Sequence, residues 1–277
     1  MKRFLLCTDL DRTLIPNGTQ PESPQAMPLF RRLAAREEVT LVYVSGRHRA
    51  LIEQAVAEYG LPQPDFAIAD VGATIYRIGP SGWRQWDAWD AQVAPDWHGL
   101  AHDDLRRLLD AFPALRLQEP EKQNRHKLSF YAPPETDVPE LLGGMEARLK
   151  QAGIRANLIW SVDEGAATGL LDVLPASANK LHAIAFLMRQ QGYGHENTVF
   201  AGDSGNDLDV LKSGIQAVLV ANADAETRRL ASGGAGCLYI ARGGYLGMNG
   251  NYSAGILEGL AHYLPEADAW LREPNQT

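Results

Sequence analysis

Phe4-Leu5-Leu6-Cys7-Thr8-Asp9-Leu10-Asp11-Arg12-Thr13 is an apolar run that ends in two aspartates one residue apart and then a threonine. The apolar part has the length of a buried strand. In open α/β sheets ligands bind beyond the carboxyl ends of the strands, so Asp9 and Asp11 are expected in a crevice. Residues i and i+2 of a strand share a face, and a turn just after the strand lets both carboxylates converge on one centre. A strand followed by an Asx turn is the plainer alternative, and this stretch alone leaves it open.

Working outward, Ser23-Pro24 has the form of a helix start, followed by Ala26, Phe30, Leu33 and Ala34 at helical spacing. Pro28 is awkward for that helix and marks a second possible start. Thr40-Leu41-Val42-Tyr43-Val44 predicts a strand ending in Ser45-Gly46-Arg47. A helix stripe follows (Leu51, Ile52, Ala55, Val56, Tyr59), stopped by Gly60. Strands are predicted at 66–69 and 74–78. This alternation is that of a parallel sheet with crossover helices.

The texture changes near Gly79-Pro80-Ser81-Gly82, where Trp83, Trp86, Trp89 and Trp97 crowd together. Helices at 104–112 and 139–151 and strands at 127–131 and 154–162 predict an inserted α+β module over 82–172. Its tryptophans are expected in the module's own core, with a sugar-stacking face as the alternative. The alternation resumes at Leu170-Leu171-Asp172-Val173-Leu174-Pro175, and Asn179-Lys180 opens a helix. Thr198-Val199-Phe200-Ala201 is a strand ending in Gly202-Asp203-Ser204-Gly205-Asn206-Asp207. Strands at 217–220 and 238–240 and a helix at 253–264 follow, and the tail from Pro265 is expected to be peripheral. The fold class is therefore α/β: a Rossmann-like parallel-sheet core, residues 1–81 and 173–277, carrying an α+β cap at 82–172.

A chain of 277 residues with a formal net charge of −8 is a poor partner for nucleic acid or an anionic membrane surface. No run approaches the ~20 apolar residues of a membrane span. Cys7 and Cys237 lie in apolar, strand-like runs and are expected as buried thiols of a reducing compartment, the cytoplasm. A monomer acting on a small molecule is expected.

Several strand or helix ends now carry polar groups: Asp9 with Asp11, Ser45, Lys180, and Asp203 with Asp207. Taken singly, each has a bland role. Asp203, Asp207 or Ser45 fits a helix cap, Lys180 a solvated helix-start lysine, and Arg47 a surface residue. Taken together, carboxylates sharing one crevice repel, and desolvation raises the cost. A hard divalent cation relieves this, and Mg²⁺ commonly sits with oxygen ligands and a substrate phosphate. Lys180 and Ser45 supply a cation and a hydroxyl donor for the same anion.

These motifs, D-x-D-x-T at Asp9–Thr13, Ser45-Gly46-Arg47, Lys180 and G-D-S-G-N-D at 202–207, resemble in order and separation those of the haloacid-dehalogenase-like (HAD) phosphohydrolases with a large α+β cap. The resemblance implies that Asp9 attacks phosphorus and that Asp11 is the general acid and base. It implies Mg²⁺ held by the Asp9 carboxylate, the Asp11 carbonyl and Asp203, with Asp207 acting through water. Ser45 and Lys180 would grip the phosphoryl oxygens, with Thr13, Gly46, Arg47 and Asn206 also at the substrate. Finer similarity points to the sucrose-phosphate phosphatase branch: Asp70-Val71-Gly72-Ala73-Thr74-Ile75-Tyr76, Gln123-Asn124-Arg125-His126-Lys127-Leu128-Ser129-Phe130, Val220-Ala221-Asn222-Ala223 and Ser253-Ala254-Gly255-Ile256-Leu257-Glu258-Gly259-Leu260. That similarity implies a disaccharide phosphate, foremost sucrose 6-phosphate, as substrate and places Asn124 and Lys127 of the cap against it. By family analogy a sugar-phosphate synthase is a possible partner. The glycine-rich stretch 243–251 departs from the branch, which keeps mannosylfructose phosphate and hexose phosphates open. A phospho-accepting receiver module is the non-enzymatic alternative, disfavoured by Asp11 and the cap.

Overall fold

The computed structural model describes residues 1–163, 165–233 and 236–273. The larger sheet is built from β1 (Phe4–Thr8), β2 (Val39–Val44), β3 (Phe66–Ala69), β4 (Thr74–Gly79) and β5 (Gly82–Gln85), together with β10 (Thr198–Gly202), β11 (Gln216–Leu219) and β12 (Leu238–Ile240). The smaller sheet holds β6 (Arg116–Leu117), β7 (Leu128–Ala132), β8 (Ala156–Asp163) and β9 (Thr168–Pro175). The helices are α1 (Ala26–Ala34), α2 (Arg49–Glu58), α3 (Asp87–Val93), α4 (His102–Leu109), α5 (Val138–Gln151), α6 (Lys180–Gln191), α7 (Leu208–Leu211), α8 (Ala225–Ala231), α9 (Ser253–Tyr263) and α10 (Pro265–Leu271).

The large sheet runs β12-β11-β10-β1-β2-β3-β4-β5. From β12 to β3 every pairing is parallel, and β4 and β5 add an antiparallel edge. The chain leaves β1 to build one side and returns at β10 to build the other. The order therefore reverses between β1 and β10, which makes their carboxyl ends the switch point where such sheets bind ligands. Both strands are buried along their whole length. Their alternate side chains feed two cores, Phe4 and Leu6 on one face, Leu5 and Cys7 on the other. A strand covered on both faces reads as an unbroken apolar run, which is how β1 reads.

The small sheet is antiparallel, in the order β6-β7-β9-β8, with α4 and α5 packed on one face around Leu105, Leu109, Leu128, Phe130, Met145 and Leu149. Its limits differ from the expected 82–172. Gly82–Gln85 pairs with β4 in the large sheet, and α3 buries Trp89 and Val93 in the core domain. At the other end, β9 runs on to Pro175 as an inner strand between β7 and β8. The run 170–175 is apolar because it is central in the cap, not because the parallel sheet has resumed. The tryptophans are redistributed accordingly. Trp86 and Trp89 each lie 5.2 Å from Phe186 of α6, Trp83 sits against Tyr76, and of the four only Trp97 belongs to the cap's core.

Three smaller expectations also change. The first helix begins at Ala26, so Pro28 falls in its first turn, where the amide has no helical partner to lose. Cys7 is buried, whereas Cys237 is exposed just before β12. The tail from Pro265 forms α10, which buries Ala267 and Leu271; residues 274–277 lie outside the described residues. Among the described residues, no helix is long and apolar enough to cross a membrane.

Candidate active site

Asp9 is the first residue beyond β1, and its amide donates to the Ala201 carbonyl of β10 (2.9 Å), which ties the two strand ends together. Asp203 follows β10 directly. The turn after it is held by Asp207, whose Oδ2 accepts from the amides of Asp203 (3.1 Å) and Ser204 (3.2 Å). Gly202 is required here, since a Cβ would lie 2.5 Å from that same oxygen. Lys180 is the first residue of α6, whose N-cap Asn179 accepts from the His182 amide (2.9 Å). Its ammonium donates to Asp9 Oδ1 (2.8 Å), Asp207 Oδ1 (2.7 Å) and Asn206 Oδ1 (3.0 Å). Thr13 donates to Asp203 Oδ1 (3.2 Å), and Arg12 lies 3.5 Å from Asp203 Oδ2. Residues from three separate parts of the chain thus meet at the switch point.

Asp11 departs from simple convergence. Arg12 has φ of 58°, and the chain turns so that the Asp11 carboxylate is held bidentately by Arg47, from Nε at 2.8 Å and Nη2 at 2.7 Å. Asn17 donates a further hydrogen bond at 2.7 Å. Arg47 is in turn ordered by its own amide donating to Ser45 Oγ (3.2 Å). Ser45 is buried at the end of β2, and Gly46 follows it.

Electrostatics separate these acids. Burial pushes the Asp9 carboxyl up to about 7; Lys180 opposes the rise and the charges of Asp207 and Asp203 add to it. Burial and the Asp207 charge push Asp203 up to about 6. Burial also acts on Asp11, but the Arg47 and Asn17 hydrogen bonds and the Arg47 charge outweigh it and hold the carboxyl below its ordinary value. Burial works against the charge on Lys180, yet Asp207 and Asp9 hold its pKa above the ordinary lysine value. Asp9, Asp203 and Asp207 are all buried, and each offers an oxygen such that these atoms lie within 4.8 Å of one another. Three carboxylates against one ammonium leave excess negative charge on hard oxygen donors. That donor set fits Mg²⁺.

The sign of the pH dependence follows. Raised carboxyl pKa values mean that the metal-free folded chain holds protons more tightly than the unfolded chain, so these groups cost stability as pH rises from about 4 to about 7. Asp11 acts oppositely, but only in the acid range below this window. Magnesium is therefore expected to raise the melting temperature more at pH 8 than at pH 5, where protons compete for the same oxygens. Thermal melts with Mg²⁺ and with EDTA at both values check this; an equal or reversed shift would remove the cluster as the metal site.

The cap residues expected at the substrate, Asn124 and Lys127, bond to the core domain and to the cap itself, and Asn124 also lines a cleft. Asn124 donates to Thr74 Oγ1 (2.7 Å), and the Lys127 ammonium lies 3.1 Å from Asp70 Oδ1 and 3.5 Å from Asp172 Oδ2. Beside them a cleft of about 300 Å³ opens between the start of α2 and the cap loop, lined by His48, Arg49, Tyr76 and Gln123 among others. Sequence reasoning missed Asn17 and Asp70. Asp70 carried the same signal as Asp9, an acid directly after a buried apolar run, Phe66–Ala69.

With this geometry in hand, the sequence model of the sucrose-6F-phosphate phosphohydrolase family matches residues 2–264. The chain belongs to that family. It is a phosphoric monoester hydrolase with a HAD-like fold. A Nitrosococcus oceani protein named only as a HAD-like hydrolase is 56% identical over 275 residues, covering 98% of this chain and 74% of its own length. Sucrose-phosphatase 1 of Nicotiana tabacum is 30% identical over 81% of this chain, which spans about half (51%) of the plant protein. The structure of the Synechocystis sucrose-phosphatase, in complex with sucrose and phosphate, matches with a TM-score of 0.71 and 28% identity, covering 95% of this chain and 98% of that one.

Proposed function

We propose that this member of the sucrose-6F-phosphate phosphohydrolase family is a Mg²⁺-dependent phosphatase of a disaccharide phosphate, foremost sucrose 6-phosphate. The observation that carries the reaction is the meeting of Asp9, Asp203 and Asp207 around the Lys180 ammonium. Asp9 Oδ attacks phosphorus; the bond to the sugar oxygen breaks, and Asp11 passes a proton to that oxygen. Water then attacks the aspartyl-phosphate, Asp11 takes up its proton, and the bond to Asp9 breaks to release phosphate. The Arg47 pair favours ionised Asp11, the form needed in the second half. In the first half Asp11 must carry a proton, so Arg47 has to release it. Asp9, Asp203 and Asp207 would hold the metal, which supplies neutralisation of phosphoryl charge. Lys180 and Ser45 would orient the phosphoryl oxygens, with Thr13, Gly46 and Asn206 lining the same floor.

A disaccharide is supported by the family match and by a cap that can shelter a bulky polar leaving group from water. One relative favours a second substrate: the mannosylfructose-phosphate phosphatase of Agrobacterium fabrum is 28% identical over 94% of this chain and 96% of its own. Phosphate release from sucrose 6-phosphate, mannosylfructose phosphate and glucose 6-phosphate, each with and without Mg²⁺, ranks them by kcat/KM. No Mg²⁺-dependent turnover of any sugar phosphate would sink the proposal. Asp11→Asn is expected to lower kcat on the best substrate by about 10²- to 10⁴-fold, the usual worth of a general acid and base. A loss smaller than tenfold would assign that role to another group.

A further inference from the structure

Asp70 is a buried acid outside the catalytic cluster, and its bonds reach both the core domain and the cap. It lies just after β3 in a turn where Asp70 (φ 54°) and Val71 (φ 58°) are both left-handed. Non-glycine residues, β-branched ones above all, rarely adopt this backbone unless surrounding contacts impose it. Here the contacts are visible. The Asp70 amide donates to the Arg47 carbonyl (3.1 Å) and the Val71 amide to the Ser45 carbonyl (3.1 Å). Gly72 abuts Asn179 so closely that a Cβ would sit 2.4 Å from its carbonyl carbon. The Trp89 indole N–H donates to the Gly72 carbonyl (3.1 Å). The turn is thus clamped by its backbone to Ser45 and Arg47 on one side and to the start of the Lys180 helix on the other.

The Asp70 side chain points from this clamp to the cap. Its Oδ1 accepts from the Lys127 ammonium (3.1 Å), and Oδ2 accepts from Thr74 (3.1 Å) and, more weakly, from Asn124 (3.4 Å). Lys127 is buried in the cap loop before β7 and also pairs with Asp172 of β9, which accepts from Ser129 of β7. One carboxylate therefore joins two cap strands to the turn that carries the phosphate-site backbone.

We propose that Asp70 is a positioning residue: through Lys127 and Asn124 it fixes where the cap stands over the acid cluster. Recognition of a large leaving group then depends on Asp70, whereas chemistry at phosphorus does not. A buried ion pair bridging two domains suits this task, because sliding the cap would carry the Lys127 ammonium, with its cap partner Asp172, away from the buried Asp70 carboxylate. The choice of a sugar phosphate as probe rests on the function proposed above.

The test compares Asp70→Asn, Lys127→Met and the double variant on two substrates, sucrose 6-phosphate and p-nitrophenyl phosphate, with amide hydrogen exchange alongside. Asp70→Asn is expected to lower kcat/KM on the sugar phosphate by tenfold to about 10²-fold, the cost of a small misplacement, with p-nitrophenyl phosphate turnover nearly unchanged. The double variant is expected to be no worse than the poorer single variant. Exchange is expected to speed up at residues 70–71 and in the cap loop 124–127, but not in β1 or β10. Equal losses on both substrates, additive losses, or unchanged exchange would each overturn the proposal. If Asp70→Asn does not fold, Lys127→Arg against Lys127→Met decides through exchange: only Met should speed it. If the wild-type enzyme hydrolyses p-nitrophenyl phosphate and no sugar phosphate, the proposed function fails, and the exchange comparison still decides the role of Asp70.

Discussion

Asp9→Asn is expected to abolish phosphate release, by about 10⁴-fold or more in kcat, while the metal-free protein melts no lower than the wild type. The two halves of this result come from the same geometry. Asp9 is the acid at the carboxyl end of the central strand, and asparagine cannot attack phosphorus as a carboxylate does. Yet Asp9 is also one of three buried carboxylates around a single ammonium, and its pKa is pushed up to about 7 by burial and by its acidic neighbours. Asparagine removes one negative charge from that cluster and keeps an oxygen for the Lys180 ammonium, now 2.8 Å from Asp9 Oδ1. The variant should also gain less from Mg²⁺, having lost a charged ligand. Phosphate assays and melts in EDTA and in Mg²⁺ measure all three effects. Activity within a few-fold of wild type would remove Asp9 as nucleophile. A clearly lower melting temperature in EDTA would mean that Asp9 serves the fold as much as the reaction.

The parallel core and its acid-tipped strands were legible because each is a local signal. β1 and β10 are apolar runs buried on both faces, and the polar residues that follow them mark the sheet edge. What is not local was misassigned. The run 170–175 looks like a core strand because burial by cap helices and burial by core helices produce the same apolar pattern; only its pairing with β7 and β8 distinguishes them. Trp86 and Trp89 sit near cap residues in sequence, but their partner Phe186 arrives only after the cap has been completed. The direction of Asp11 was hidden for a conformational reason. A turn after the strand was expected to bring Asp11 towards Asp9; the turn is there, with Arg12 left-handed, and the Asp11 carboxylate pairs with Arg47. Asp70 carried a readable signal, but its meaning depends on Lys127, 57 positions away. Family similarity placed Asn124 and Lys127 at the sugar; their bonds to Thr74 and Asp70, made across the chain, were not readable from it.

Lys180→Met is expected to be the most destabilising single change in the site and to remove activity as well. The lysine is 2% exposed and holds Asp9, Asp207 and Asn206 at 2.7–3.0 Å. Methionine fills similar space and starts a helix about as well, and Asn179 still caps α6, so local helix structure is not what is lost. What is lost is, among the described residues, the one ammonium within bonding distance of both Asp9 and Asp207. Removing one partner of a buried charge network costs about 3–5 kcal/mol, because the remaining charges are left without compensation. For a chain of this size each kcal/mol moves the melting temperature by about 2–4 °C, so a fall of roughly 6–20 °C is expected in EDTA near neutral pH. The loss should shrink at pH 5, where the orphaned carboxylates take up protons, and Mg²⁺ should restore more of it than it adds to the wild type. Activity should not return with stability, because the phosphoryl oxygens have lost their cation. A melting temperature unchanged by the substitution and independent of pH would mean that the carboxylates find another counter-charge, and the electrostatic account of the site would fail with it.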